Sequence, residues 1–287
     1  MSTDFACVVL SQGRRPAELD AALESLLRQR DVQVDVVVVG NGWEPSGLPA
    51  GVHSVALTED AGIPGGRNAG VQHARGDVLF FVDDDVSLES DDALARIAAQ
   101  LEDPAIGLLQ PRVAPRGGGR ARRDWVPRLR IGDPGRSSDV TAVWEGAVAI
   151  PRHVFEEVGG WPAEFRHAHE GIDLAWRVMD AGYRVRYAGD VVVLHPAQAA
   201  PMPHDYSFYF GARNRIWLAR RHLPLPLGVI YVVMFALRTL PRLRSVHAVA
   251  EALRGYRKGL RGPCGKRQKL RPRTLVRMTL AGRPPII

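Results

Sequence analysis

Three consecutive carboxylates, Asp83, Asp84 and Asp85, close the apolar run Val78-Leu79-Phe80-Phe81-Val82. A run this short, rich in β-branched and aromatic residues, predicts a buried strand. Carboxylates at its end need a partner, because an isolated buried charge is strongly disfavoured. Asp83 and Asp85 stand two residues apart, so on extended backbone they share a face. Hard oxygen ligands in that arrangement suit Mn²⁺ or Mg²⁺ carrying substrate phosphates. The competing reading is a solvated acidic turn that caps the next helix.

Other residues offer complementary chemistry. Gly65-Gly66-Arg67-Asn68 predicts flexible backbone at a helix start, where N–H groups and the helix dipole favour phosphate. Arg67 would add a bidentate contact; a plain structural turn is the alternative. Glu170 and Asp173 lie three apart at the head of a helix and share its face. Either is a candidate general base for an acceptor hydroxyl, although acids in a first turn also complement the dipole. His195 closes an apolar stretch before Pro196. Its imidazole would complete a metal sphere with the carboxylates, while a lone histidine reads as structural.

These residues need a frame to bring them together. Strands are predicted over 6–10, 34–39, 52–57 and 78–82, with a helix opened by Pro16-Ala17-Glu18 and lined by Leu19, Leu23, Leu26 and Leu27. A second helix follows the glycine-rich stretch 62–70. Strand, helix, strand, strand, helix, strand is the grammar of a parallel α/β sheet. Ligands in such sheets sit beyond the carboxyl ends of the strands, where Ser11, Asn41 and the Asp triplet fall. Further on, 91–101 and 174–181 read as helices, and 140–150, 183–187 and 191–194 as strands. The Gly-, Arg- and Pro-rich stretch 115–136 reads as a mobile loop, either a linker or an active-site lid.

The charge is divided unevenly. Residues 201–287 hold 18 Lys and Arg against Asp205 and Glu251, giving +16, and residues 1–200 carry −9 of the overall +7. An acidic body with a basic tail predicts an anionic partner surface for the tail. The clean apolar run 227–237 is too short to span a bilayer, and Arg238, Arg242 and Arg244 follow it. That pattern suits a helix lying on an anionic membrane through 223–283. The alternative is a helix packed on the body with a solvated basic end. Nucleic acid is disfavoured as a partner, because only Tyr256 is aromatic over 254–283 and stacking recognition is unsupported. Cys7 and Cys264 lack metal or redox spacing, and Asp4 interrupts any leader, so a cytoplasmic chain, peripheral at the inner face of the cell membrane, is expected.

In order along the chain, Val-Val-Gly-Asn-Gly, Asp-Ala-Gly-Ile-Pro-Gly-Gly-Arg-Asn-Ala-Gly, Phe-Phe-Val-Asp-Asp-Asp-Val, Gly159-Gly160-Trp161, His-Glu-Gly-Ile-Asp-Leu-Ala-Trp-Arg and the closing Leu-His resemble a family 2 glycosyltransferase of the GT-A fold, and its rhamnosyltransferase-like subset. The stretch 209–224, with Ala212-Arg213-Asn214-Arg215, is similar to that subset's post-domain helix. The resemblance implies a Rossmann-like mixed sheet flanked by helices over 1–200, with a helical basic extension over 201–287. It implies a nucleotide-diphosphate sugar donor, a hydroxyl acceptor, inversion at the anomeric carbon, and Mn²⁺ or Mg²⁺. Ser11, Asn41, Gly65, Gly66, Arg67, Asn68, Asp83, Asp84 and Asp85 would bind donor, and Asp83, Asp85 and His195 the metal. Two positions depart from the pattern. The usual Asp-Asn-Gly turn reads Gly40-Asn41-Gly42, and the usual Glu-Asp pair, whose second member supplies the base, reads Glu170-Gly171. Glu170 is then the expected base with Asp173 behind it. The alternatives are a catalytically degenerate nucleotide-sugar-binding module and a nucleotidyltransferase.

Overall fold

Strands β1 (Asp4–Ser11), β2 (Gln33–Asn41), β3 (Val52–Leu57) and β4 (Val78–Asp83) run parallel in the order β3-β2-β1-β4. In the computed structural model, which describes residues 3–197 and 204–286, this half is continued by strands of mixed direction. β8 (Ala147–Pro151) pairs antiparallel with β4, followed by β6 (Ile106–Pro115), β9 (Arg184–His195) and the short β5 (Ser87–Leu88), while β7 (Ser138–Asp139) pairs with β9. The central strands are apolar on almost every residue because both faces are covered. Phe5, Cys7 and Val9 face α1 (Pro16–Leu27) and α3 (Ala93–Leu101), whereas Ala6 and Val8 face the side carrying α2 (Gly62–Val71) and α5 (Glu170–Ala181).

The mixed sheet flanked by helices agrees with the predicted α/β class. Three local expectations change. The strands expected over 183–187 and 191–194 are one strand, β9, and β6 is a long strand that its prolines and Gln110 conceal. The glycine-rich stretch after β6 is anchored, not free. Trp125 is buried within it, and its carbonyl accepts from Gln110 Nε2 at 2.9 Å.

Helices α6 (His204–His222), α7 (Leu225–Thr239), α8 (Val246–Arg261) and α9 (Pro272–Leu280) follow. α6 and α9 dock on the body. Asn214 Nδ2 donates to the carbonyls of Phe165, His167 and Ala168 at 3.1, 2.7 and 2.8 Å. Asp180 at the far end of α5 accepts from Arg271 N and Thr274 Oγ1. α7 is different. Arg215 stacks on Tyr231 and Phe235 along its inner side, while Leu225, Val229, Ile230, Val233 and Leu237 are exposed. By length and composition Leu225–Arg242 reaches the size of a membrane span, longer than the run counted from the sequence.

Candidate active site

The carboxyl ends of β1, β2, β4 and β9 meet at one sheet edge and bring most of the expected residues with them. Ser11, the last residue of β1, donates from Oγ to Asp84 Oδ2 at 2.6 Å. Arg15, just before α1, donates to Asp84 Oδ1 at 2.5 Å and also to Asp85 Oδ2. Sequence reading missed Arg15, because nothing local links it to acids some 70 residues away. Asn41 closes β2 and bonds within the fold through both ends of its amide. Its Nδ2 donates to Asp60 Oδ1 at 2.7 Å and its Oδ1 accepts from Ala61 N at 2.8 Å. Asn41 therefore shapes the turn that opens α2. At neighbouring Gly40, a β-carbon would lie 2.0 Å from the Trp43 carbonyl. The turn after β2 leaves no room there for the aspartate of the usual pattern.

The glycine pair needs correcting. Gly65 and Gly66 lie inside α2, not at a flexible start, and the positive-φ residue is Gly62 (φ 76°), whose N–H reaches Asp60 Oδ1. Gly66 is small for packing reasons, since a β-carbon there would meet Leu10 Cδ1 at 2.4 Å. Asn68 also has a structural task. Its amide exchanges hydrogen bonds with the backbone of Trp161. Arg67 is buried and turns to the site, where Nη2 donates to Asp83 Oδ1 at 2.7 Å beneath the Trp161 ring.

The expected sphere of Asp83, Asp85 and His195 is not gathered: among the described residues no group of three ligating side chains stands close enough to share an ion. β4 ends at Asp83, and Val86 N turns back to the Asp83 carbonyl, so the extended geometry that would align Asp83 with Asp85 is lost. Arg67 takes Asp83 instead. Asp85 and His195 do meet, Oδ1 to Nε2 at 3.5 Å, with His195 Nδ1 2.8 Å from the Pro196 carbonyl and the ring set edge-on to Trp125 and Trp144. This oxygen and nitrogen pair suits a hard divalent cation that takes further ligands from a diphosphate. Burial pushes the Asp84 carboxyl up to about 6 and raises that of Asp85 as well, where Asp83 adds its charge.

At the head of α5 the two expected bases part company. Glu170 is buried, its Oε2 has no hydrogen-bond partner, and burial together with the charge of Glu145 pushes it up to about 8. Asp173 is a poor base on this geometry. It is wholly buried and accepts from Arg177 Nε and His222 Nε2, each at 2.7 Å, with Arg221 Nε at 3.3 Å. Those cations hold its carboxyl well below the usual range against the pull of burial. The carboxylate that does join Glu170 is Glu145, which accepts from Gly171 N at 2.9 Å. Sequence reading passed over Glu145. Its only signal is its place in Trp144-Glu145-Gly146, whose flanks touch His195 and, through the Gly146 carbonyl, the Asp83 N–H.

Comparison with known proteins bears on the family and the fold. The profile of glycosyl transferase family 2 matches residues 7–159. Glycosyltransferase AglE of Haloferax volcanii is 29% identical over 146 residues, 49% of this chain and 46% of AglE, so the match spans about half of that relative's length. In fold, the chain is similar to the mannosyltransferase PcManGT from Pyrobaculum calidifontis, solved with GDP-Man and Mn²⁺, with TM-score 0.58 and 20% identity over 98% of this chain and 85% of that one. It is likewise similar to TarS 1–349 of S. aureus with UDP-GlcNAc, with TM-score 0.61 and 13% identity over 96% and 83% of the two chains.

Proposed function

The chain belongs to glycosyl transferase family 2, matched over residues 7–159, and on that premise we propose that it transfers a sugar from a nucleotide-diphosphate donor to a hydroxyl acceptor. One observation carries this reading: the ends of β1, β4 and β9 set Ser11, Asp84, Asp85 and His195 together at the edge where α/β sheets bind ligands. Ser11 and Arg15 orient Asp84 and Asp85, and Arg67 orients Asp83. Asp85 and His195 would hold Mn²⁺ or Mg²⁺, which when bound neutralises charge on the leaving diphosphate. A carboxylate beside the head of α5 takes the acceptor proton while the site holds both substrates in line for a single displacement that inverts the anomeric carbon. The resemblance to the rhamnosyltransferase-like subset puts nucleotide-activated rhamnose first among the sugars.

We also propose that α7 seats the chain at the inner face of an anionic membrane. Arg215 of α6 stacks on its inner side at Tyr231 and Phe235, which favours a helix lying on the surface over one crossing it. Its outer side offers leucine and valine beside exposed Arg238, Arg242 and Arg244, the composition of an interfacial helix.

The test is calorimetric titration of UDP, dTDP and GDP with Mn²⁺, Mg²⁺ or chelator. Metal-dependent binding of one diphosphate supports the reading, and no binding under any condition overturns it. Release of pyrophosphate in place of nucleoside diphosphate would make the chain a nucleotidyltransferase. Asp85→Ala is expected to lower turnover at least about 100-fold and to abolish the metal dependence of binding. An unchanged titration would remove Asp85 from the metal site.

A further inference from the structure

Gly171 occupies the position at which the family pattern carries its basic aspartate. A β-carbon there would lie 2.6 Å from Glu145 Cγ, 2.9 Å from Glu145 Cδ and 2.8 Å from the Val143 carbonyl. The space is filled by another carboxylate. Glu145 reaches it from the segment before β8, and Oε1 accepts the Gly171 N–H at 2.9 Å. That amide opens α5, where the helix dipole favours an anion. Glu145 is also bracketed by the site: Trp144 lies edge-on to His195 at 5.3 Å between ring centres, and the Gly146 carbonyl accepts the Asp83 N–H at 2.9 Å.

From this arrangement, and resting on the glycosyl-transfer reading above, we propose that Glu145 is the general base, a carboxylate moved from position 171 to the segment before β8, with Glu170 as its proton-bearing partner. Two adjacent carboxylates divide the roles by environment. Burial raises the Glu145 carboxyl as well, as suits a group that takes up a proton, but Glu145 has the Gly171 N–H to stabilise its anionic form. Glu170 is buried with Oε2 unpartnered, and its raised affinity for a proton agrees with the neutral role. In the transfer step the acceptor O–H proton passes to the Glu145 carboxylate. The acceptor oxygen forms its bond to the anomeric carbon, the bond from that carbon to the diphosphate oxygen breaks, and the nucleoside diphosphate leaves with the electron pair.

The experiment uses the full chain, with UDP-GlcNAc, GDP-mannose and dTDP-rhamnose as donors, water as the acceptor and Mn²⁺ present. Nucleoside diphosphate release is read beside calorimetric binding of the diphosphate. Glu145→Gln is expected to cost at least about 100-fold in release with binding retained. Glu170→Gln, which keeps a neutral partner but loses its proton, is expected to cost about tenfold in release, less than Glu145→Gln. Added formate should restore release to Glu145→Gly and not to Glu145→Gln, an outcome that a purely structural Glu145 would not give. Release unaffected in Glu145→Gln, a larger loss in Glu170→Gln, or diphosphate binding with no release by the parent chain overturns the assignment. Absence of diphosphate binding by the parent chain fails earlier, and overturns the glycosyl-transfer reading itself.

Discussion

Glu170 and Asp173 stand on one face of the first turn of α5, and their surroundings drive them in opposite directions. Around Asp173 three cationic or donor side chains from α5 and α6 converge, and every carboxylate oxygen is partnered. Around Glu170 the charge that acts most strongly is that of another acid, Glu145, and one carboxylate oxygen is left without a partner. Identical spacing rules gave both residues the same candidacy. The difference teaches that a saturated buried charge is architecture, whereas an unsaturated one kept at a sheet edge is chemistry waiting for a substrate.

The strongest way to break this contrast is to remove the saturated acid. Asp173→Ala leaves Arg177, Arg221 and His222 buried without their carboxylate, and should cost about 3–5 kcal/mol of stability. Urea denaturation measures it, and a loss below about 1 kcal/mol would return Asp173 to the list of site residues. A smaller effect is expected from Asn214→Ala. Asn214 holds the carbonyls of a stretch in which Arg166, Ala168 and His169 all have positive φ, at 58°, 67° and 69°. Such backbone persists only when its surroundings fix it. We expect a loss of about 1–3 kcal/mol and slower turnover with diphosphate binding retained, because Glu170 follows directly on this stretch. Equal losses in binding and turnover would show that Asn214 supports the whole fold and not the acid.

The parts of the molecule legible in the sequence are those in which chemistry and element coincide. Val78–Asp83 announced both a strand and its acidic end, and β1 and β2 delivered Ser11 and Asn41 to the same edge. What stayed hidden depends on contacts between distant segments. Glu145 meets Gly171 across 26 residues and Arg15 meets Asp85 across 70, and no periodicity reports such pairs. Other errors came from local signals overruled by packing. Gly65-Gly66 reads as a turn, yet the pair sits in α2 because Gly66 lets the helix approach Leu10. β6 contains Gly107, Gln110, Pro111 and Pro115, which break strand alternation, and it survives because Gln110 is buried and bonds to Trp125 and Trp144.

The finest test of the contrast is the pH dependence of stability, since the two acids should slope in opposite directions. Glu170 is raised from 4.5 to about 8 in the folded chain. Its contribution is therefore present below pH 4.5 and is lost as the pH rises towards about 8, because the unfolded chain releases the proton first. Glu170→Gln has no proton to lose. It should match the parent chain in acid and become more stable than it as the pH rises through that window. Asp173 is depressed from 3.8, so its contribution is present above pH 3.8 and is lost as the pH falls below that value. Asp173→Asn should flatten that acid limb and leave the alkaline one untouched. Denaturation midpoints measured from pH 2 to 9 on both variants would separate the two limbs, and parallel curves would mean that the first turn of α5 holds two acids of one kind.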